Sequence, residues 1–208
     1  MPYEVVASDA QETIGGDTAL ALAASNAVAK VRHAALPHGP LAGAYVLGTD
    51  TLVTVDERLM GKPSSRADAA DMIAALSGRT HQVVSGVALR RIHAEGGPVV
   101  GGSPPGASSP GPEEPAAGAV GEGPGEQLRV AVATTDVTFL HLEDAQIEAS
   151  IASGEWTDKA GAYGVQGLAG TFVSEIRGEY STVVGLPLCL LARLFREAGF
   201  DLLRRQWL

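Results

Sequence analysis

"YVLGTDTLVTVDERLMGKP", residues 45–63, is the stretch on which the reading of this chain turns. The near-continuous apolar run "AYVLG" at 44–48 predicts a strand buried on both faces. Asp50, between Thr49 and Thr51, is placed where that strand is expected to run out. Gly61, Lys62 and Pro63 follow on a short loop, where Gly61 permits close approach and Pro63 holds the chain off a helix. Two readings stay open. Asp50 is either a turn-former bonding its own backbone, or a carboxylate at the end of a buried strand, where open α/β sheets place ligand groups. Lys62 is either a solvated loop lysine or a cation set beside that acid.

Outward from this stretch the pattern alternates between strand and helix. "YEVV" (3–6) reads as a short strand, and 17–36 as an Ala/Leu-rich helix with Asp17 as N-cap and Pro37 as its stop. Residues 64–78 open with Ser65 and Asp68 in capping-box spacing and close on Gly78. "HQVVSGVALRRIH" (81–93) and "QLRVAVATTDVTFLHL" (127–142) predict two long strands. A short helix over 143–154 carries Ile147 and Ile151 four apart and ends at Gly154. The last helix, 186–199, has Pro187 at its start and Gly199 at its end. Between the two long strands, residues 96–126 hold ten of the 26 glycines and seven of the 12 prolines. Nothing in that segment can build a core, so it is expected to be a disordered insertion at a hairpin tip, within a single domain spanning 1–208.

Bulk properties narrow the function. The chain has 208 residues, 45 % hydrophobic and 19 % charged, enough for one domain with a sizeable core. No apolar run approaches the roughly 20 residues of a membrane span, and the opening "MPYEVVASDAQE" shows no secretory signal, so a cytoplasmic protein is expected. The single cysteine, Cys189, excludes an internal disulfide and a cysteine-based zinc site, and within "LPLCLLARL" it is expected to be a small buried hydrophobe. A formal charge of −9 argues against non-specific nucleic-acid binding, since there is no basic stripe. An anionic small ligand is still compatible if positive charge is gathered locally. Of fifteen basic residues only Lys30, Lys62 and Lys159 are lysines. They are either survivors of a compositional bias toward Arg, or kept where a compact ammonium meets a phosphate.

A second cluster, "GEWTDKAGAYGVQG" (154–167), sets four glycines among Lys159, Tyr163 and Gln166, as suits a loop whose backbone wraps a ligand. The spacing is not that of a Walker A loop or a dinucleotide-binding G-x-G-x-x-G, and no G-x-S-x-G or H-E-x-x-H is present. His81 is expected to pack or cap at the start of its strand. Carboxylate, ammoniums and a glycine-rich loop together point to a phosphorylated small molecule.

Taken in order, "GTDTLV…GKP", "ADMIAALSGRTHQVVSGVAL", "EWTDKAGAYGVQG" and "RGEYSTVVGLPLCLL" resemble the Maf family of nucleoside triphosphate pyrophosphatases over most of the chain outside 94–126. The resemblance implies an α/β fold with a mixed central sheet, flanking helices and two lobes around a nucleotide cleft. It also implies hydrolysis between the α- and β-phosphates with a divalent cation, Mg²⁺ or Mn²⁺. By that resemblance Asp50 is the proton acceptor for the attacking water, Thr51 and Gln166 influence substrate choice, Lys62 and Lys159 are phosphate-side cations, and Lys30 is the family's helix lysine, counted with the substrate-binding residues. Glu12 matches an early acidic residue that shares the metal with Asp50. A side-chain amide offers one donor and one acceptor, complementary to the imide edge of thymine or uracil, so Gln166 favours dTTP and UTP. Family members acting on 7-methyl-GTP carry Glu in that place. Inosine-triphosphate hydrolysis and a non-catalytic role in cell-division control are the alternatives, and a homodimer is a family-level expectation. The family's opening strand and turn, S-x-S-P-R-R, has no counterpart here, which predicts an unpaired sheet edge. Glu179 stands where the family has Asp.

Overall fold

The structure, a computed structural model, describes residues 3–36, 43–92 and 127–208, and the backbone of 118–119. Its chain order is α1 (Ala19–Arg32), β1 (Tyr45–Val55), β2 (Arg58–Met60), α2 (Arg66–Leu76), β3 (Thr80–Arg91), β4 (Gly118–Ala119), β5 (Gln127–Phe139), α3 (Asp144–Ser153), β6 (Val173–Arg177), α4 (Tyr180–Val184), α5 (Leu188–Glu197), β7 (Phe200–Asp201) and β8 (Gln206–Trp207). Two 3-10 turns, Ala160–Ala162 and Leu168–Thr171, lie before β6. The main sheet runs β2-β1-β3-β5-β4, with β6 also on β5, and β7 and β8 form a separate pair. The α/β class and the flanking helices are as the resemblance implied. The sheet was expected to be mixed; every pairing among the described residues is antiparallel.

Side-chain parity along the sheet assigns its two faces, because successive strand residues point to opposite sides. Even-numbered positions of β1, β3 and β5, such as Leu52, Val84, Ala88 and Val130, pack on α1 through Leu22, Ala23, Ala27 and Val31. Odd-numbered positions, such as Val53, Val83, Val87 and Val137, pack on α2 and α5 and on Tyr163 and Phe172. Gly48 and Gly86 let α1 lie very close. A Cβ at Gly86 would stand 2.2 Å from the Ala23 carbonyl oxygen, and one at Gly48 2.7 Å from that of Ala27.

Several expectations change. The "AYVLG" run is not buried on both faces: its even face is covered by α1, while Leu47 on the odd face is 39 % exposed. Nor does the strand run out at Asp50. It continues through "TLVTV" to Val55, because the Asp50 carboxylate is satisfied from α1 and does not compete for its own backbone. The reversal comes at Asp56 and Glu57, both at positive φ, the conformation a two-residue hairpin with the favoured twist requires. "YEVV" forms no strand; Tyr3 and Val5 are over four-fifths exposed. The N-cap of α1 is Thr18, not Asp17, whose carboxylate accepts from the Thr18 amide instead. Cys189 is exposed, not buried, since α5 turns Leu190, Leu191 and Leu194 inward and its flanking position outward. The Ser65 hydroxyl caps α2 as read, accepting from the Asp68 amide, but the Asp68 carboxylate accepts from the amide and hydroxyl of Ser64 and not from the Ser65 amide, so the capping box is not closed.

β3 and β5 are paired from Thr80↔Thr138 to Arg91↔Gln127, so the Gly/Pro-rich insertion joins two neighbouring strand ends. Apart from Gly118–Ala119, which pair with β5, the expected disordered segment lies outside the described residues. On its other side β1 meets β2 only at Val53–Val55. Among the described residues its edge from Tyr45 to Leu52 has no strand partner.

Candidate active site

That open edge of β1 is where the site forms. Asp50 and Thr51 are adjacent in the strand and so point to opposite faces, yet both line one cavity of about 370 Å³. The cavity therefore wraps around the edge of β1 and has two walls of different chemistry.

The wall on the α1 side is charged. Asp50 is buried at 4 % exposure. Its Oδ1 accepts from Lys30 Nζ at 2.7 Å and its Oδ2 from Asn26 Nδ2 at 2.9 Å. Asn26 and Lys30 are four apart, so they share one face of α1, and the close seating over Gly48 and Gly86 lets both reach the strand. Asn26 also exchanges two bonds with Thr13, donating to its carbonyl at 3.1 Å and accepting from its amide at 2.9 Å. This ties down the segment carrying Glu12. Lys30 Nζ meets Glu12 Oε1 at 2.8 Å and the Thr49 carbonyl at 3.0 Å, so all three ammonium protons have protein acceptors. Lys62 approaches Glu12 at 3.1 Å and is half exposed.

Burial presses the Lys30 ammonium toward deprotonation, but the hydrogen bonds and charges of Asp50 and Glu12 outweigh it and raise its pKa above the ordinary 10.5. Partial burial likewise pushes the Glu12 carboxyl up, and Lys30 and Lys62 more than reverse that, leaving it below 4.5. Lys30 thus stays charged as the clamp between two carboxylates.

The opposite wall is largely neutral: Thr51, Val53, Tyr163, Gln166, Val183 and Gly185 line it. Thr51 Oγ1 lies 2.8 Å from Ser85 Oγ on the paired strand, and Ser85 donates to the Thr182 carbonyl at 2.8 Å. Thr135 Oγ1 donates to the Glu179 carbonyl at 3.0 Å. Two hydroxyls from adjacent strands thereby pin the start of α4 and place its end beside Thr51. Glu179 itself points away from the cavity: its Oε1 accepts from the Cys189 amide at the start of α5, where a carboxylate suits the helix dipole. Tyr163 donates to, or accepts from, His81 Nε2 at 2.8 Å, so His81 packs, as expected, within an aromatic cluster with Phe139.

All the residues singled out in the sequence thus meet. Asp50, Thr51, Lys30, Lys62, Lys159 and Gln166 line the cavity, and Glu12 closes its charged side through Lys30 and Lys62. Asn26 and Ser85 were missed. A polar residue four before Lys30 in an Ala-rich helix was the available signal for Asn26. None marked Ser85, whose role depends on strand register. As for a metal, Glu12 and Asp50 are hard oxygen donors of the kind Mg²⁺ takes one or two at a time, with phosphate and water completing the shell. Among the described residues no three of His, Cys, Asp or Glu gather into a cage.

Similarity to known proteins follows this geometry. Residues 1–198 match the family model described as Maf-like protein. The chain belongs to the Maf family. It is 36 % identical over 204 residues to a dTTP/UTP pyrophosphatase of Bacillus cytotoxicus, covering 95 % of this chain and 83 % of that protein. Proteins of the same name from Bacillus mycoides and Bacillus cereus are 34 % and 35 % identical over 97 % of this chain, and 87 % and 82 % of theirs. Among the described residues no helix is long and apolar enough to cross a membrane.

Proposed function

We propose that this Maf protein hydrolyses dTTP and UTP to the nucleoside monophosphate and pyrophosphate. One observation carries the reading: a chain of net charge −9 brings all three of its lysines to one cavity, around a buried carboxylate. The names of its relatives point the same way.

In this reading the triphosphate lies along the charged wall. Lys62 and Lys159, both exposed, offset charge on the phosphoryl oxygens. Lys30, with its protons engaged by Glu12, Asp50 and Thr49, positions the carboxylates and is not itself the phosphate ligand. Asp50, held at both oxygens, takes the proton from the attacking water as the bond to the α-phosphorus forms and the pyrophosphate leaves. A divalent ion held by Glu12 and Asp50 would supply charge neutralisation at the phosphates and a more acidic water. On the neutral wall the Gln166 amide pairs with the imide edge of the base.

Pyrophosphate release with Mg²⁺ or Mn²⁺ tests this. Wild type should release it from dTTP and UTP, Asp50→Asn should lose at least about a hundredfold in kcat, and Gln166→Glu should weaken both pyrimidine substrates. Preference for ITP or XTP, or no turnover of any nucleotide by folded protein, would overturn it.

A further inference from the structure

The hydroxyl of Thr51 can face the cavity in one sense only. Ser85 is fully buried and its single proton goes to the Thr182 carbonyl at 2.8 Å. A hydroxyl carries one proton and two lone pairs. Across the 2.8 Å contact between Thr51 Oγ1 and Ser85 Oγ, the proton must therefore come from Thr51. What Thr51 then presents to the cavity is lone pairs alone.

From this arrangement we infer that Ser85, a residue that touches no ligand, fixes Thr51 as an obligate acceptor and so selects a base that donates a ring N–H. The inference rests on the pyrimidine triphosphate reading above and deepens it. Uracil and thymine carry their one ring N–H at position 3, where the Gln166 carbonyl and Thr51 share it in a three-centre bond, whereas cytosine carries a lone pair there, which would face the lone pairs of both. Thr51 lines the cavity with Gln166, Val183 and Gly185, on the face of β1 opposite Asp50 and its partner Lys30, which is why the base and not the phosphates is placed against it. The source of the polarity is rigid. Thr51 and Ser85 are register partners across β1 and β3, and the Thr182 carbonyl is held by α4. The Thr182 carbonyl, which also accepts from the Gly185 amide, has no proton to give, so turning the Ser85 proton toward Thr51 would leave two oxygens in lone-pair contact at 2.8 Å.

Steady-state kcat/KM for UTP and CTP, with Kd for their α,β-methylene analogues, tests this on wild type, Ser85→Ala, Thr51→Val and Thr51→Ser. Wild type should favour UTP. Ser85→Ala releases the Thr51 proton to turn outward, so the UTP:CTP ratio should fall at least about tenfold in both measurements, chiefly through gain of CTP. Thr51→Ser should keep the ratio, and Thr51→Val should lose it through weaker UTP binding with CTP no better. The Thr51 pair decides the matter if Ser85→Ala does not fold. An unchanged ratio in folded Ser85→Ala would make Ser85 merely structural and overturn the inference, as would a wild type that cleaves UTP and CTP alike. Should the Thr51 variants respond to 3′-deoxyuridine triphosphate while treating UTP and CTP equally, the donor is a sugar hydroxyl and the base assignment falls. If wild type neither cleaves UTP nor binds its analogue, the function proposed above fails along with it.

Discussion

Asn26 shows what one uncharged residue can do for a charged site. It joins three parts of the chain: α1, on which it sits, Thr13 beside Glu12, and Asp50 in β1. Its two amide protons and its carbonyl are all used, so truncation leaves three groups without this partner, one of them the buried Asp50 carboxylate oxygen. Asn26→Ala should cost about 1–3 kcal/mol of stability, as urea unfolding would measure. Because Asp50 then loses the partner of its Oδ2, kcat should fall about 10- to 100-fold, while binding of α,β-methylene-UTP changes little. An equal loss in binding would show that Asn26 holds the cavity's shape and not the carboxylate's aim. At this scale Asp50, Lys62 and Gln166 were readable because acids, lysines and amides stand out in sequence. Ser85 was not, since a serine in an apolar strand looks like any other until its partner is known.

At the scale of elements, the seat of α1 on the sheet sets the charged wall. Helix and strands meet over Gly48 and Gly86, where a Cβ would strike helix backbone, at Gly86 backbone alone and at Gly48 the Val31 side chain as well. Gly86→Ala should therefore lift α1, costing about 1–3 kcal/mol or more, and move Lys30 and Asn26 away from Asp50 together. Thermal unfolding and pyrophosphate release should both drop. Lost activity at undiminished stability would mean that the helix seat is not what Gly86 secures. Helix limits were legible to within a few residues, because caps such as Ser65 and stops such as Gly154 act locally. Strand β6 and the five-residue α4 went unseen. Their short, mixed sequences carry no period, and they are held by β5 and by the hydroxyls of Ser85 and Thr135.

For the whole molecule, burial of His81 couples folding to pH. Its imidazole is 2 % exposed, bonded only at Nε2 among the described residues, and burial lowers its pKa from 6.5 to about 4. The unfolded chain binds that proton more readily, so stability is complete above pH 6.5 and declines as pH falls through 6.5 toward 4. The loss should approach about 3 kcal/mol by the lower limit. Urea midpoints across that window check it, and the double variant His81→Phe with Tyr163→Phe should flatten the slope. Glu12, held below its ordinary 4.5 by Lys30 and Lys62, contributes a separate loss below that value. The two windows separate the aromatic core beside the neutral wall from the charged wall.

Sequence by itself determined the family, the main helices and long strands, and most of the polar side chains that line the cavity. Those are properties of local period, caps and residue type, and they survive being read in one dimension. Tertiary structure alone decided that Asp50 lies mid-strand, that Cys189 faces outward, and that Asp50 and Thr51 serve opposite walls of one cavity. Strand parity and the edge of β1 that no described strand covers produce that split, and both depend on which strand lies beside which. The direction of the Thr51 proton is likewise written in a contact 34 residues away, where no local pattern reaches.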